Sequence, residues 1–376
     1  MRVTSKSVFK IVLLLCVAAG IGTYLFFYYQ PRYTQTERFI KKHMLNPNGT
    51  LATYLVETPV ISPDLAHGRE ALSESLGLWL EYAVENKDKA LFQQNYAILR
   101  QYFFAPEGFV YWKISPEGQS GVTTNALVDD LRLVGALLAA YQLWGQAEWA
   151  DTAGSIGKAV SLYLAKDNTF VDFYDRKYNK SADVLTLSYL DPRPLKRLGQ
   201  LNAAEQPLYE RGVAVIQAIP NDGTFFPKSY HLPSRQYAYD PVVNLIDQLL
   251  IALHRASQGI PSPELTAFLK NEFQMQGLIY GGYDRMTHEA PVKFESPSVY
   301  ALAILYSLEQ NDTEWALALY KRMLQLQHRS GEYQGGYVSD NQTHIFDNVF
   351  PLLAEVRLYK TKMLPVMYIW MTEEKR

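Results

Sequence analysis

The chain has 376 residues, 48% of them hydrophobic, and a formal net charge of −2. That length allows one large domain or two smaller ones. The nearly balanced charge, with no basic run after the N-terminal segment, excludes a nucleic-acid binder held by electrostatics. Aromatic residues are abundant, at 27 Tyr, 17 Phe and 6 Trp. Tyrosine suits sugar surfaces, because its ring packs on C–H faces while its hydroxyl bonds, although most such rings fill the core.

In chain order, residues 1–10 carry Arg2, Lys6 and Lys10, and residues 11–29 carry no charge. At about 1.5 Å per residue the uncharged span reaches roughly 28 Å, the thickness of a bilayer core. Tyr24 and residues 26–29 form an aromatic belt at its far end. These bulky rings replace the small residues of a cleavage site, so the span reads as an uncleaved transmembrane anchor. Leu15 is larger than the residue that usually precedes a lipidated cysteine, which argues against lipid attachment at Cys16. Arg32, Arg38, Lys41 and Lys42 nearly balance the positive charges on the other side, so charge alone leaves the topology open. Cys16 is the single cysteine, and the rest of the chain has no disulfide.

Beyond the anchor, helical periodicity places helices near 69–86, 88–102, 125–144, 147–165, 204–218, 241–256, 262–274, 297–309, 312–327 and 345–359. Strand patterns are few and short. A Gly-Gly-Tyr segment followed by a polar loop, Phe plus an acid, and an apolar helix begins at Gly281 and again at Gly335. That spacing fits one helical hairpin with its loops, and six such hairpins would fill residues 30–376. Closed in a ring they make an (α/α)6 barrel; left open they make a superhelix.

The acids follow the same period. Glu74 opens one helix, Asp129 and Asp130 lie in the first turns of another, and Asp240 precedes "PVVNLIDQLLIALH". Asp240 reads as an N-cap with Pro241 at the first helical position. In a ring, these acids would face one mouth, although the helix dipole also favours acids in first turns. A carboxylic acid and a carboxylate across a groove are what glycoside hydrolysis needs. Burial near Leu76 and Trp79 would raise the pKa of Glu74, and a helix N-terminus would keep Asp240 ionised.

On these residues the chain resembles glycoside hydrolase family 8. Ser73-Glu74-Ser75-Leu76-Gly77 is similar to the family's Ser-Glu-Gly-x-Gly acid motif, with Ser75 in place of the first glycine. Asp130 in "VDDLRLVGALLAAY" is similar to the last aspartate of an Asp-Ala-Asp helix that reaches the sugar at the cleavage point. Ser188 and Tyr189 in "LTLSYLDP" match a cleft segment, and Tyr239-Asp240 match a Tyr-Asp-Ala-x-Arg base motif in which Val243 replaces the arginine. The resemblance implies an endo-acting, inverting (α/α)6 enzyme with Glu74 as general acid and Asp240 as general base. It implies Asp130 and Tyr189 as substrate contacts, and Asp129 beside Asp130 in the same first turns is a further candidate contact. Independently of the resemblance, Trp112, Tyr111, Tyr189, Phe226, Tyr230, Tyr237 and Tyr239 lie in or beside loops, and two or three of them are expected to stack on sugar rings, with the rest in the core. An anchor followed by this domain is similar to family members encoded with exopolysaccharide synthesis genes. That layout implies an extracellular domain, a β-linked, amino-sugar-containing polymer and contact with the synthesis machinery. An endo-β-1,4-glucanase or chitosanase, and a non-catalytic polysaccharide-binding or assembly subunit, are the alternatives.

The histidines show no metal spacing, and no nucleophile elbow, phosphate loop or dinucleotide fingerprint is present. No cofactor, metal or nucleic acid is expected.

Overall fold

The computed structural model describes residues 33–58, 62 and 65–361. The expected anchor at 11–29 and the residues before it lie outside this range. Among the described residues, no helix is long and apolar enough to cross a membrane.

The described residues form twelve α-helices: α1 (Tyr33–His43), α2 (Ser73–Glu85), α3 (Lys89–Ile98), α4 (Leu127–Trp144), α5 (Ala147–Ala159), α6 (Pro192–Leu201), α7 (Gln206–Ala218), α8 (Leu245–Ala256), α9 (Pro263–Gln276), α10 (Pro297–Glu309), α11 (Thr313–Met323) and α12 (Phe346–Lys360). Two patterns of burial sort them. In α10, residues 298–307 are all buried, and α4, α8 and α12 are buried on nearly every side. Helices apolar all round belong inside. In α1 and α9 only a narrow stripe is buried, Phe39 with Ile40 and Leu265 with Leu269, which suits an outer layer.

The even-numbered helices form the inner ring. α2 packs on α4, α4 on α6, α8 on α10, α10 on α12, and α12 returns to α2, while α8 meets the turn at 187–189 that leads into α6. Short connections such as 86–88 and 145–146 turn each outer helix back along its inner partner. The inner helices therefore share one direction. At their C-terminal ends Arg357 of α12 bonds Glu81 of α2 at 2.7 Å, and Lys360 bonds Glu85 at 2.6 Å. Their N-termini gather at the opposite end, the mouth. The outer partner of α12 is α1, so the beginning of the described chain closes the ring.

Two helices escape the periodic reading. In α6, Pro192 and Pro194 occupy the first turn, where a missing N–H costs nothing, and the Asp191 carboxylate caps the Arg193 N–H at 2.9 Å. α1 is short and heavily charged. One boundary is corrected. Residues 241–244 are not helical: Val242–Asn244 form a strand paired antiparallel with Gly282–Asp284, Val243 opposite Tyr283. α8 starts at Leu245, with the Asn244 side chain accepting the Ile246 N–H at 2.9 Å. Asn244, and not Asp240, is the cap. The strand pairing needs Gly282, since a Cβ there would lie 3.0 Å from the Val243 carbonyl oxygen.

Both Gly-Gly-Tyr segments lead toward an inner helix. Tyr283 is buried, and its hydroxyl accepts the Tyr280 N–H at 3.0 Å. Tyr337 is buried, and its N–H bonds the Asn348 side chain of α12 at 2.9 Å.

Candidate active site

The first turns of α2 and α4 lie side by side at the mouth. Ser73 and Glu74 begin α2, placed by the pairing of Ala71–Leu72 with Lys113–Ile114. The Trp112 carbonyl accepts the Ser73 N–H at 3.0 Å, which sets half-buried Trp112 next to the acid. The Ser73 hydroxyl donates to Asp129 Oδ2 at 2.5 Å. One turn further along α4, Arg132 Nη2 donates to Glu74 Oε1 at 3.1 Å, and its guanidinium rests over Phe350 of α12 at 5.5 Å.

Burial pushes the Glu74 carboxyl above its usual pKa; Arg132 opposes the rise and the charge of Asp247 adds to it. Asp129 is raised further, first by burial and then by the nearby Glu74 charge, with Ser73 and Arg132 pulling the other way. Two carboxyls so close cannot both ionise cheaply, so the pair tends to hold a proton.

Asp130 occupies a different place from the one expected. It is completely buried, with Asn125 Nδ2 donating to Oδ2 at 2.6 Å, and burial raises its pKa strongly. Asn125 in turn accepts the Tyr174 N–H at 2.8 Å. Asp130 therefore braces the approach to α4, and Asp129 is the acid beside Glu74. Adjacent helical residues point about 100° apart, so only one of the two can face the mouth.

Tyr189 sits where the carboxylates converge. Its hydroxyl is pushed up by burial first, and then by the charges of Glu74, Asp172, Asp129 and Asp247. Asp172 accepts the Thr186 N–H at 2.6 Å and the Thr186 hydroxyl at 2.8 Å, and burial lifts its pKa to about 6. Asp247, in the first turn of α8, accepts the Ser188 hydroxyl at 2.7 Å and pairs with Lys228. Both Asp247 oxygens are thus engaged. Asp247, Asp172, Arg132 and Lys228 were not singled out from sequence. Asp247 could have been found, since it is the third residue of α8 as Asp129 is of α4. Lys228 comes from a loop and gives no local signal.

Asp240 is half-buried on the segment that enters the strand at 242–244, five residues before α8. Among the described residues no hydrogen bond ends on its carboxylate; its backbone carbonyl accepts Arg285 Nε at 2.8 Å. The Arg285 guanidinium also lies 5.0 Å from the ring of Tyr239, which is 43% exposed. Val243, where the motif has arginine, is buried.

The remaining aromatic candidates divide. Tyr237 pairs with Tyr230 across a hairpin, ring centroids 5.1 Å apart, and its hydroxyl bonds the Ala218 carbonyl at 3.3 Å. Those contacts tie it to the end of α7. Phe226 is buried and belongs to the core. Tyr111 packs edge-on against Phe109 at 5.3 Å. A groove of about 490 Å³ runs along the strand at 242–244, between Val242, Phe294, His344 and Phe346. Among the described residues no group of three or more His, Cys, Asp or Glu could hold a metal ion.

No protein-family model matches the chain. The chain is 37% identical over 331 residues to the candidate lipoprotein YdaJ of Bacillus subtilis (strain 168), covering 87% of this chain and 88% of that one. PssZ from Listeria monocytogenes superposes with a TM-score of 0.70 at 28% identity, over 87% of this chain and 96% of PssZ. An α-amylase from Clostridium perfringens superposes at 0.79 with 23% identity, over 87% and 97% of the two chains. Endoglucanase Cel10 of Klebsiella pneumoniae, a family 8 glycosyl hydrolase, superposes at 0.58 with 16% identity, over 88% and 100%.

Proposed function

The chain belongs to one family with YdaJ and has the fold of the family 8 glycoside hydrolases, and on that premise we propose that it is an endo-acting, inverting hydrolase of an extracellular polysaccharide. The observation that carries this reading is Glu74: a half-buried carboxyl at the mouth, its pKa raised, its Oε1 held by Arg132. In its protonated form the acid accepts from Arg132 at the carbonyl oxygen. That leaves the hydroxyl on Oε2 to protonate the departing glycosidic oxygen. Asp240 is the base. Its carboxylate carries no protein hydrogen bond among the described residues, so both oxygens are open to the attacking water. Asp247, with both oxygens occupied by Ser188 and Lys228, is the weaker candidate. The proton leaves Glu74 with the leaving sugar, and a water proton goes to Asp240 as the new C–O bond forms.

Asp129 takes the sugar contact expected of Asp130, because it is Asp129 that stands in the Glu74 cluster, held by Ser73, while Asp130 is turned to Asn125. Trp112, Tyr189 and Tyr239 supply aromatic contacts around it. The substrate is a β-linked, amino-sugar-containing exopolysaccharide, and the chain works beside the machinery that makes it. Residues 11–29 hold the enzyme in the membrane with its domain outside the cell; the name of YdaJ, a candidate lipoprotein, supports a membrane attachment.

The deciding experiment incubates the full-length protein in detergent with β-glucans, α-glucans, chitosans of graded acetylation and bacterial exopolysaccharides. Products are sized, and the new anomer is followed by NMR. Mid-chain cuts with an inverted anomer are expected. Slow binding without any cleavage across the panel refutes the enzyme reading and leaves a non-catalytic subunit. Protease treatment of intact cells should digest the domain, and a protected domain overturns the topology.

A further inference from the structure

Arg285 uses its whole guanidinium in protein contacts, and its side chain is only 9% exposed. Its Nε donates to the Asp240 carbonyl at 2.8 Å, Nη2 donates to the Phe226 carbonyl at 3.0 Å, and Nη1 pairs with Asp222. Its own N–H donates to the Pro241 carbonyl at 2.8 Å. The flat guanidinium is packed against Tyr239 at 5.0 Å and Phe225 at 5.9 Å. These contacts reach both ends of one excursion of the chain, residues 222–241, which leaves α7 and returns to α8. Lys228, which holds Asp247, and Asp240 both lie on that excursion.

The outgoing end is anchored to the barrel independently of Arg285. Buried Gln248 of α8 accepts the Phe226 N–H at 2.7 Å and donates to the Phe226 carbonyl at 3.0 Å. Asp222 accepts the Phe225 N–H at 2.7 Å and the Thr224 N–H at 3.0 Å. Asp240 has no such anchor on its side chain. Its position is fixed through its backbone, by the pairing of the next strand and by Arg285. A planar fork with several donors can bind two carbonyls and a carboxylate at fixed angles, whereas a lysine can satisfy only part of that set.

We propose that Arg285 is the positioning residue of the second carboxylate: its guanidinium staples the outgoing and returning ends of the 222–241 excursion and thereby sets where Asp240 stands over the cleft. This rests on the reading of Asp240 as general base. Arg285 touches no reacting atom, and its effect on the chemical step is exerted through Asp240.

The test is a cycle built on chemical rescue in the full-length protein, using the polysaccharide that the wild type cleaves. In Asp240→Ala, azide replaces the activated water. Its nitrogen bonds the anomeric carbon, the glycosidic C–O bond breaks, and Glu74 gives its proton to the leaving oxygen. Recovery of a glycosyl azide by Asp240→Ala tests the base reading by itself. With Asp240 present, Arg285→Ala should lower kcat by about 10–100-fold with KM little changed, the cost of misplacing a catalytic group by about an ångström. Arg285→Lys should recover part of the loss, and millimolar guanidinium should recover part of the Arg285→Ala loss. In the Asp240→Ala background with azide, Arg285→Ala should cost nothing further. An equal loss in both backgrounds overturns the proposal, as does wild-type kcat in Arg285→Ala. If Arg285→Ala fails to fold, Arg285→Lys carries the same cycle. If Asp240→Ala keeps wild-type activity, the base reading itself is lost, and Arg285 with it.

Discussion

Arg132→Met separates the two opposing influences on Glu74. The arginine donates to Glu74 Oε1 at 3.1 Å, with the two side chains 12% and 20% exposed. With charge centres about 4 Å apart and an effective dielectric near 20, the attraction is about 4 kcal/mol. Partial exposure and the neighbouring acids reduce that attraction, and what remains of it holds the Glu74 carboxyl below the value that burial alone would give, so its loss lifts the pKa. The sign follows from the roles. The active form of Glu74 is protonated, burial already favours that form, and Arg132 is the group that opposes it. Removing the arginine should therefore move the alkaline limb of kcat/KM upward. Methionine preserves volume and can still pack on Phe350, and Glu74 without its partner stays neutral, so no unpaired buried charge remains. The assay is kcat/KM from about pH 4 to about pH 9, with reducing ends as the readout. An alkaline limb that stays in place, or moves down, would refute the assignment of Glu74 as the acid.

The remaining predictions are shorter. Glu74→Gln and Asp240→Asn should each lose about 10²–10⁴-fold in kcat while still binding polymer, measured by kinetics and by affinity electrophoresis; a loss of binding in step with rate would place them in substrate contact only. Asp172, with its folded pKa raised to about 6, carries a stability cost that is absent below the unfolded value near 4 and complete above 6. The melting temperature of Asp172→Asn relative to wild type should thus climb by a few degrees between those pH values, and a flat difference contradicts the burial argument. A Cβ at Gly336 would lie 2.5 Å from the Phe39 ring of α1. Gly336→Ala should loosen α1 and speed proteolysis near residues 33–43, with little change at the inner helices.

The ring was legible because its inner helices are strongly apolar and its hairpins recur at a similar spacing, with inner helices starting at Ser73, Leu127, Pro192, Leu245, Pro297 and Phe346. The mouth was legible through Glu74 and Asp129, which need only a helix start to place them. Asp240 shows where periodicity fails. "DPVVN" has the residues of a helix start, but Val242 and Val243 are β-branched and find a glycine-lined partner strand about forty residues later, which no local window can see. Choosing between Asp129 and Asp130 required the rotation of α4 against α2, a tertiary fact. Arg132 was visible but looked like an ordinary helix-surface charge; only the close approach of α2 turns it inward. Lys228 and Arg285 reach the site from loops, so their partners are decided by how the excursion folds back.

The pairing of α1 with α12 fixes which way the enzyme looks. Tyr33 touches Tyr359 at 5.8 Å and bonds Asn86 at 3.2 Å, so the described chain starts at the C-terminal ends of the inner helices. The mouth is at the other end, and α12 alone, with 15 residues, separates the two faces by about 22 Å. With attachment through the segment before Tyr33, as proposed, the base of the barrel sits on the lipid and the cleft opens outward. Such an enzyme trims strands already clear of the bilayer and never meets the stretch still inside an export pore. Tethering would then act as a ruler, leaving a stub next to the cell of roughly the barrel's own height.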